Sequence, residues 1–384
     1  MRFQFSTANQ ILFGPGTVNH IAPLAAEMGH RPLVLTGRST QRASALMDAL
    51  TDQGMEITRC PVTAEPTVDT ALAAVRKARR AECDLVIGIG GGSVIDTGKV
   101  VAALITNSGR LTDYLEVIGR ARPLVHPAAP YIAIPTTAGT GSEVTRNAVL
   151  GSPQHRVKVS MRSPFMLPIL AVIDPDLTLS LPSAITAVTG LDAFTQLMEA
   201  FVSSQSNALT DGICREGLHR VAHSLQQAYE NGSDRSAREN MCLASLFSGM
   251  ALANAKLGAV HGIAGPLGGM ISSAHGAICA ALLPYVMDTN IKALRKRAAD
   301  SAVLERYNEL ARILTRSANA RAEDGTKWVR DLCQRLQVKS LTHLGLEKTD
   351  FPAVVAKSQK ASSMQGNPIR LTEEELLEIL QMAL

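Results

Sequence analysis

Residues 190–200 read GLDAFTQLMEA, and Asp192 and Gln196 stand four apart, on one face of any helix the segment forms. Residues 260–276 read VHGIAGPLGGMISSAHG, where His261 and His275 each precede a glycine that leaves room for an approaching group. One carboxylate and two imidazoles suit a divalent transition metal with an open coordination position. Taken singly, each histidine is more readily read as a hydrogen-bonded core residue, and Asp192 as a buried helix carboxylate. Only their conjunction points to metal chemistry.

A second chemistry is written between residues 84 and 99, DLVIGIGGGSVIDTGK. An apolar strand runs into Gly90-Gly91-Gly92-Ser93, and a helix follows. Glycine lets a phosphate approach the backbone, and the helix start offers unpaired N–H groups and the positive dipole end. Two better-known loops are excluded. A Walker loop requires glycine where Ser93 stands and Ser or Thr where Val100 stands, and the G-x-G-x-x-G fingerprint fails because Ser93 occupies its third position. A lone triglycine can also be a plain tight turn. A second polar turn, PTTAGTGSEVT at 135–145, brings the hydroxyls of Thr136, Thr137 and Thr140. Two such turns at strand carboxyl ends form a pyrophosphate site more specifically than either one.

The elements that must position these groups follow from the pattern. Pro32–Thr36, Asp84–Ile89, Tyr131–Pro135 and Leu170–Asp174 are apolar on both faces, as buried parallel strands are. Helical spacing lies between them, over Thr67–Arg80 and Ser93–Asn107, so a parallel sheet covered on both sides is expected. Beyond Ser183 the spacing is helical throughout: Ser183–Ser203, Ala208–Tyr229, Arg235–Lys256, Ala293–Thr315, Thr326–Leu336 and Thr372–Leu384. Pro182 followed by Ser183 reads as a stop and an N-cap.

The bulk numbers exclude other classes. The 384 residues suggest two domains, and 46% hydrophobic with 19% charged residues gives ample core and no disorder signature. Net charge is only +4, and the basic clusters at Arg76, Lys77, Arg79, Arg80 and at Lys292, Arg295, Lys296, Arg297 lack interleaved aromatics. Nucleic-acid binding is therefore not expected. Cys60, Cys83, Cys214, Cys242, Cys279 and Cys333 form no C-x-x-C pair and read as small buried hydrophobes in a reducing cytosol. The N-terminus carries no signal-like apolar region, and no uninterrupted apolar run is long enough to span a bilayer, so a cytoplasmic protein without membrane contact is expected.

GGGSVIDTGK, PTTAGTGSEVT, VIDPDLTLSLP, TGLDAFTQLMEA and VHG-x11-AHG stand here in the order found in the iron-containing (group III) alcohol dehydrogenases. The chain resembles that family over essentially its whole length, from FGPG at 13–16 to the C-terminal helices. The resemblance implies a dehydroquinate synthase-like architecture. A Rossmann-like α/β domain would cover residues 1–180, an all-helical metal and substrate domain 181–384, with a cleft between them. It implies an NAD(P)-dependent alcohol dehydrogenase or aldehyde reductase that moves a hydride between a small alcohol and nicotinamide. By motif position, Gly91, Gly92, Ser93, Val94, Ile95, Thr136, Thr137, Gly139, Thr140, Val149 and Lys158 would contact the cofactor. The metal ligands would be Asp192, Gln196, His261 and His275, holding iron(II) or zinc(II). Asp192, His261 and His275 would be the catalytic centre, and the chain would form a homodimer.

Three positions depart from the family pattern. Gln196 stands where the second ligand is usually His; its amide oxygen has similar reach and no charge but is a harder, weaker donor, which implies looser metal retention. Gly265 stands where a proton-relay His is common. The first strand ends in Thr36-Gly37-Arg38-Ser39 in place of an Asp, so Gly37 and Arg38 meet the adenosine ribose and NADP becomes as acceptable as NAD. The rivals are a metal-independent, maleylacetate reductase-like enzyme acting on a polar oxo-acid, a lyase like dehydroquinate synthase, and a nucleotide-binding pseudoenzyme. Phe165, Phe194, Met198, Phe247 and Met250 are candidates for the substrate pocket or for ordinary core.

Overall fold

The computed structural model describes residues 2–38 and 41–384; Met1, Ser39 and Thr40, and with them the end of the first-strand turn, lie outside the described residues. Two compact units emerge. One comprises Thr7–Thr137 and Gly141–Ser180, the other Leu181–Leu384 with Met1–Ser6 and Ala138–Thr140.

The first unit is built on a six-stranded parallel sheet. Its strands are β1 (Gln10–Phe13), β2 (Pro32–Thr36), β3 (Thr58–Pro61), β4 (Leu85–Gly90), β5 (Tyr131–Pro135) and β8 (Leu170–Ile173), and a separate antiparallel hairpin joins β6 (Asn147–Ser152) to β7 (Val157–Arg162). The order β1-β8-β5-β4-β2-β3 reverses direction between β2 and β4. In an open parallel sheet that reversal opens a crevice beyond the strand carboxyl ends. All residues of β2, β4, β5 and β8 are buried, because helices cover both faces. Helices α1 (Ile21–Met28) and α2 (Gln41–Asp52) pack one side, with Val34, Ile87, Ile132 and Val172 in the core beneath them. Helices α3 (Val68–Arg80) and α4 (Gly92–Thr106) pack the other, over Leu33, Leu35, Val86 and Ala133. The short α5 (Leu111–Tyr114) follows.

α3 shows why such a segment is a helix. Thr67 caps it through a reciprocal box with Thr70, worth about 1 kcal/mol. Ala71, Ala74, Val75 and Ala78 recur at helical spacing and are its buried stripe.

The second unit is helical: α6 (Ser183–Val202), α7 (Ala208–Glu230), α8 (Arg235–Ala255), α9 (Ala259–Met270), α10 (His275–Arg297), α11 (Ala302–Thr315), α12 (Ala322–Arg335), α13 (Phe351–Ser358) and α14 (Glu373–Met382). Pro182, not Ser183, is the N-cap residue of α6, and no side chain caps it. The single helix expected over Ala293–Thr315 is two. α10 ends at Arg297, and Ser301 caps the next helix by accepting from the Val303 N–H. α10 is long and apolar enough on average to cross a membrane, but polar residues such as Asp288 and Asn290 interrupt it and 78% of its most apolar stretch is buried inside the protein. It is the core helix of this unit.

Candidate metal and nucleotide sites

Three helices bring the ligand candidates together. α6 is buried on nearly every side over its second half, and Asp192, Gln196 and Glu199 share one face of it at spacings of four and three. α9 starts against that face. Glu199 accepts hydrogen bonds from the Val260 N–H at 2.6 Å and the His261 N–H at 3.4 Å, placing a carboxylate at the positive end of the helix. The same carboxylate holds His261 Nδ1 at 2.7 Å. This turns His261 Nε2 toward Asp192, and a carboxylate on the far nitrogen is the usual support of a metal-bound imidazole. α10 approaches α6 at Gly276, where a Cβ would stand 2.4 Å from the Val188 carbonyl oxygen. Only glycine allows that approach, and it sets His275 beside Asp192.

Asp192 Oδ1 lies 3.5 Å from His261 Nε2 and 4.0 Å from His275 Nε2. Cys279, one turn beyond His275, adds its sulfur at 3.5 Å from His275 Nε2 and 3.8 Å from His261 Nε2. One ligand atom from each of these four residues lies within 4.8 Å of all the others. Asp192 Oδ1 is buried and makes no hydrogen bond. Leaving a buried carboxylate oxygen bare is costly, so the residues present fit a cation. The Asp192 and His261 side chains are 3% and 6% exposed and His275 is 32% exposed, so access is from the His275 side.

Burial opposes the charged forms here, and the neighbours answer it. Asp192 stays below the ordinary carboxylate range because His261 and His275 outweigh its desolvation. Burial also disfavours the His261 imidazolium, yet Cys279, Asp192 and Glu199 lift its pKa well above the usual value. Burial pushes the Cys279 thiol up to about 12.

Gln196 is beside the cluster, but not as a donor toward it. Its amide nitrogen lies 3.5 Å from Asp192 Oδ2, while its oxygen accepts from Ser248 Oγ at 2.9 Å. Ser248 Oγ also lies 3.3 Å from the Gly139 carbonyl oxygen, and a Cβ on Gly139 would meet Thr189 at 2.7 Å. Gly139 and Thr140 thus belong to the helical unit. Gly265 opens onto space, with nothing within 4 Å of where its Cβ would stand.

Gly37, Arg38, Gly91, Gly92, Ser93, Thr136 and Thr137 follow strands at the carboxyl edge of the sheet, while Val149 and Lys158 stand on the hairpin. Gly90 pairs with Pro135 and Thr36 with Ile89, so the turns after β2, β4 and β5 are neighbours across the sheet reversal. A Cβ on Gly91 would touch the Thr137 side chain at 3.4 Å. Gly92 and Ser93 open α4, and the first N–H groups of a helix have no partner within it. Val94 and Ile95 are buried, and their N–H groups donate to the Gly91 carbonyl oxygen. Val149 donates its N–H to Asp96 Oδ2 at 2.9 Å, and Lys158 pairs with Glu65 at 2.7 Å. Arg38 is exposed and donates from Nε to the Thr63 carbonyl oxygen at 2.7 Å. Of the pocket candidates, Phe194 and Met198 are fully buried core, with Phe194 edge-on to Trp328 at 6.0 Å; Phe165, in the α/β unit, is 43% exposed.

Sequence reasoning missed Glu199, Cys279 and Lys99. Glu199 carried a signal, seven residues after Asp192 on one helix face. Cys279 carried the same signal, four residues after His275. Lys99, three residues after Asp96, is wholly buried and donates to Ser142 Oγ, Thr145 Oγ1 and the Asn147 carbonyl oxygen at 2.6–2.8 Å.

Known proteins match this arrangement along the full chain. Residues 8–175 match the iron-containing alcohol dehydrogenase family model, and 186–384 match the C-terminal model of the Fe-containing alcohol dehydrogenase family. A 1,3-propanediol dehydrogenase of Klebsiella pneumoniae is 33% identical, over 99% of this chain and 98% of that one. The structure of an alcohol dehydrogenase from Oenococcus oeni superposes with a TM-score of 0.92 at 31% identity, covering all of both chains. A sulfoacetaldehyde reductase from Bifidobacterium kashiwanohense, solved in complex with NAD+, superposes at 0.87 with 27% identity, covering 100% and 99% of the two chains. The chain belongs to the iron-containing alcohol dehydrogenase family and is an oxidoreductase acting on a CH–OH group.

Proposed function

We propose that the chain is a nicotinamide-dependent dehydrogenase of a small alcohol, working reversibly as an aldehyde reductase, with Asp192, His261 and His275 holding a divalent metal ion. The observation that carries this is the buried, unpartnered Asp192 oxygen facing two imidazoles and a thiol. A bound ion would polarise the substrate oxygen and ease loss of its proton near neutral pH. By accepting from His261 Nδ1, Glu199 would leave Nε2 to a bound ion. Bound nicotinamide would accept a hydride from the alcohol carbon, whose hydroxyl would give up its proton. Gly265 offers no side chain to take that proton, which therefore passes to water.

Gly91, Gly92 and Ser93 receive the pyrophosphate at the start of α4, and Thr136, Thr137, Gly139 and Thr140 supply the adjoining turn. Val94 and Ile95 shape the first turn of α4, and Val149 and Lys158 belong to the hairpin anchored on it. Gly37 and Arg38 take the adenosine end, where β2 ends without the Asp that would repel a 2′-phosphate. NADP is accepted alongside NAD on this reading, and Arg38→Ala lowers kcat/KM for NADPH more than for NADH. The metal is iron(II) or zinc(II), the chain is a cytoplasmic homodimer as the family resemblance implies, and neither nucleic acid nor membrane is a partner.

The metal-independent reading is not favoured, since a buried, unpartnered carboxylate oxygen converging with two imidazoles and a thiol suits a cation. Chelation followed by dialysis is the test. Loss of alcohol oxidation, restored by iron(II) or zinc(II), supports the assignment; full activity in metal-free protein would defeat it.

A further inference from the structure

We propose that Cys279, not Gln196, is the fourth protein ligand of the metal site, so that a thiolate joins one carboxylate and two imidazoles. This rests on the metal reading above and concerns which side chain completes it. Gln196 directs its amide N–H toward Asp192, and that group carries donors only; its oxygen is held by Ser248. Cys279 is fully buried on the same face of α10 as His275. Its sulfur faces the Nε2 atoms of both imidazoles, the same two nitrogens that face Asp192 Oδ1.

A thiol has one hydrogen, which serves at most one of the two nitrogens, and Asp192 Oδ1 makes no hydrogen bond. The spacings suit an ion. With ordinary zinc bond lengths, the edges of a tetrahedron are about 3.4 Å between nitrogen and oxygen and about 3.6 Å between nitrogen and sulfur. The measured edges are 3.5 and 4.0 Å for nitrogen to oxygen, and 3.5 and 3.8 Å for nitrogen to sulfur. These four separations lie within about 0.6 Å of such edges, and a substrate oxygen would enter as a fifth donor. The thiol proton leaves to solvent as the sulfur–metal bond forms. A soft sulfur donor shifts preference from iron(II) toward zinc(II), opposite to the drift that an amide oxygen would cause.

The test loads metal-free protein with cobalt(II) alone and reads its absorption spectrum. The wild type should take up one equivalent and show an intense near-ultraviolet sulfur-to-cobalt band. Cys279→Ser and Cys279→Ala should lose that band, with zinc affinity falling at least about tenfold, the loss that even an outer partner of a ligand produces. Gln196→Ala should keep it. If the wild type binds cobalt without the band, or Cys279→Ser keeps it, the thiolate assignment falls while the metal site stands. If the folded wild type binds neither cobalt nor zinc, the metal reading falls and this proposal with it.

Discussion

A buried polar cluster of the α/β unit and one of the helical unit differ in how their groups are satisfied. In the α/β unit, Lys99 spends all three ammonium hydrogens on Ser142, Thr145 and Asn147, and Asp96 takes the Ser142 hydroxyl at 2.5 Å and the Val149 N–H. In the helical unit, Asp192, His261, His275 and Cys279 converge, and Asp192 Oδ1 has no hydrogen-bond partner. Both clusters bury charge at helical spacing. The first is closed by its own groups and locks the turn at 142–147 and the hairpin onto α4. The second leaves a carboxylate oxygen without a hydrogen bond. A saturated network is architecture, and an unsatisfied convergence is a candidate binding site.

Substitutions can break or sharpen that contrast. Asp192→Ala has the largest expected effect. It removes the unpartnered oxygen, so the metal content of purified protein should drop to background and alcohol oxidation should vanish. Metal retained at the wild-type level would erase the distinction between the clusters. Lys99→Met comes next. It strands Asp96 and three acceptors, and loss of one partner from a buried charged pair costs about 3–5 kcal/mol, read as a lower denaturant midpoint. Metal bound per folded chain should not change; if it does, the α/β cluster is more than architecture.

Glu199→Gln should act more gently. The amide still reaches His261 Nδ1 but carries no charge, and outer-partner changes weaken metal affinity by about 10–100-fold. Competition with a metallochromic chelator measures it, and unchanged affinity would show that Glu199 only caps α9. The smallest effect belongs to Glu143, beside Lys99. Burial raises its pKa from 4.5 to about 7, with Lys99 pulling the other way. The folded chain keeps a proton there that the unfolded chain releases, so its contribution makes stability fall as pH rises from 4.5 to about 7 and level off above. Glu143→Gln should flatten that part of the stability profile, and an unchanged slope would show that Glu143 is charged in the fold.

Much of the site was legible because its signals are local. Asp192, His261 and His275 were marked by residue type and flanking glycines, and the two turns by glycine and threonine runs after apolar strands. Buried central strands announce themselves as unbroken apolar runs, and β2 and β5 begin and end as read. β1 and β3, at the sheet edges, are partly exposed and carry no such run. The hairpin did carry a signal, since VKVSM alternates apolar and polar residues at the period of a strand. The break between α10 and α11 was hidden because apolar spacing continues across it, and Ser301, which caps the second helix, is a single residue within that spacing.

Residue type and spacing alone determined which groups could bind metal or phosphate and which segments had to be strand or helix, because those choices depend on neighbours a few residues away. Which atoms face one another was settled by packing. Cys279 joins the cluster, and Gln196 turns aside, because α10 closes on α6 at Gly276 while Ser248 holds the Gln196 oxygen. Those contacts link residues tens of positions apart, and no local periodicity encodes such a distance.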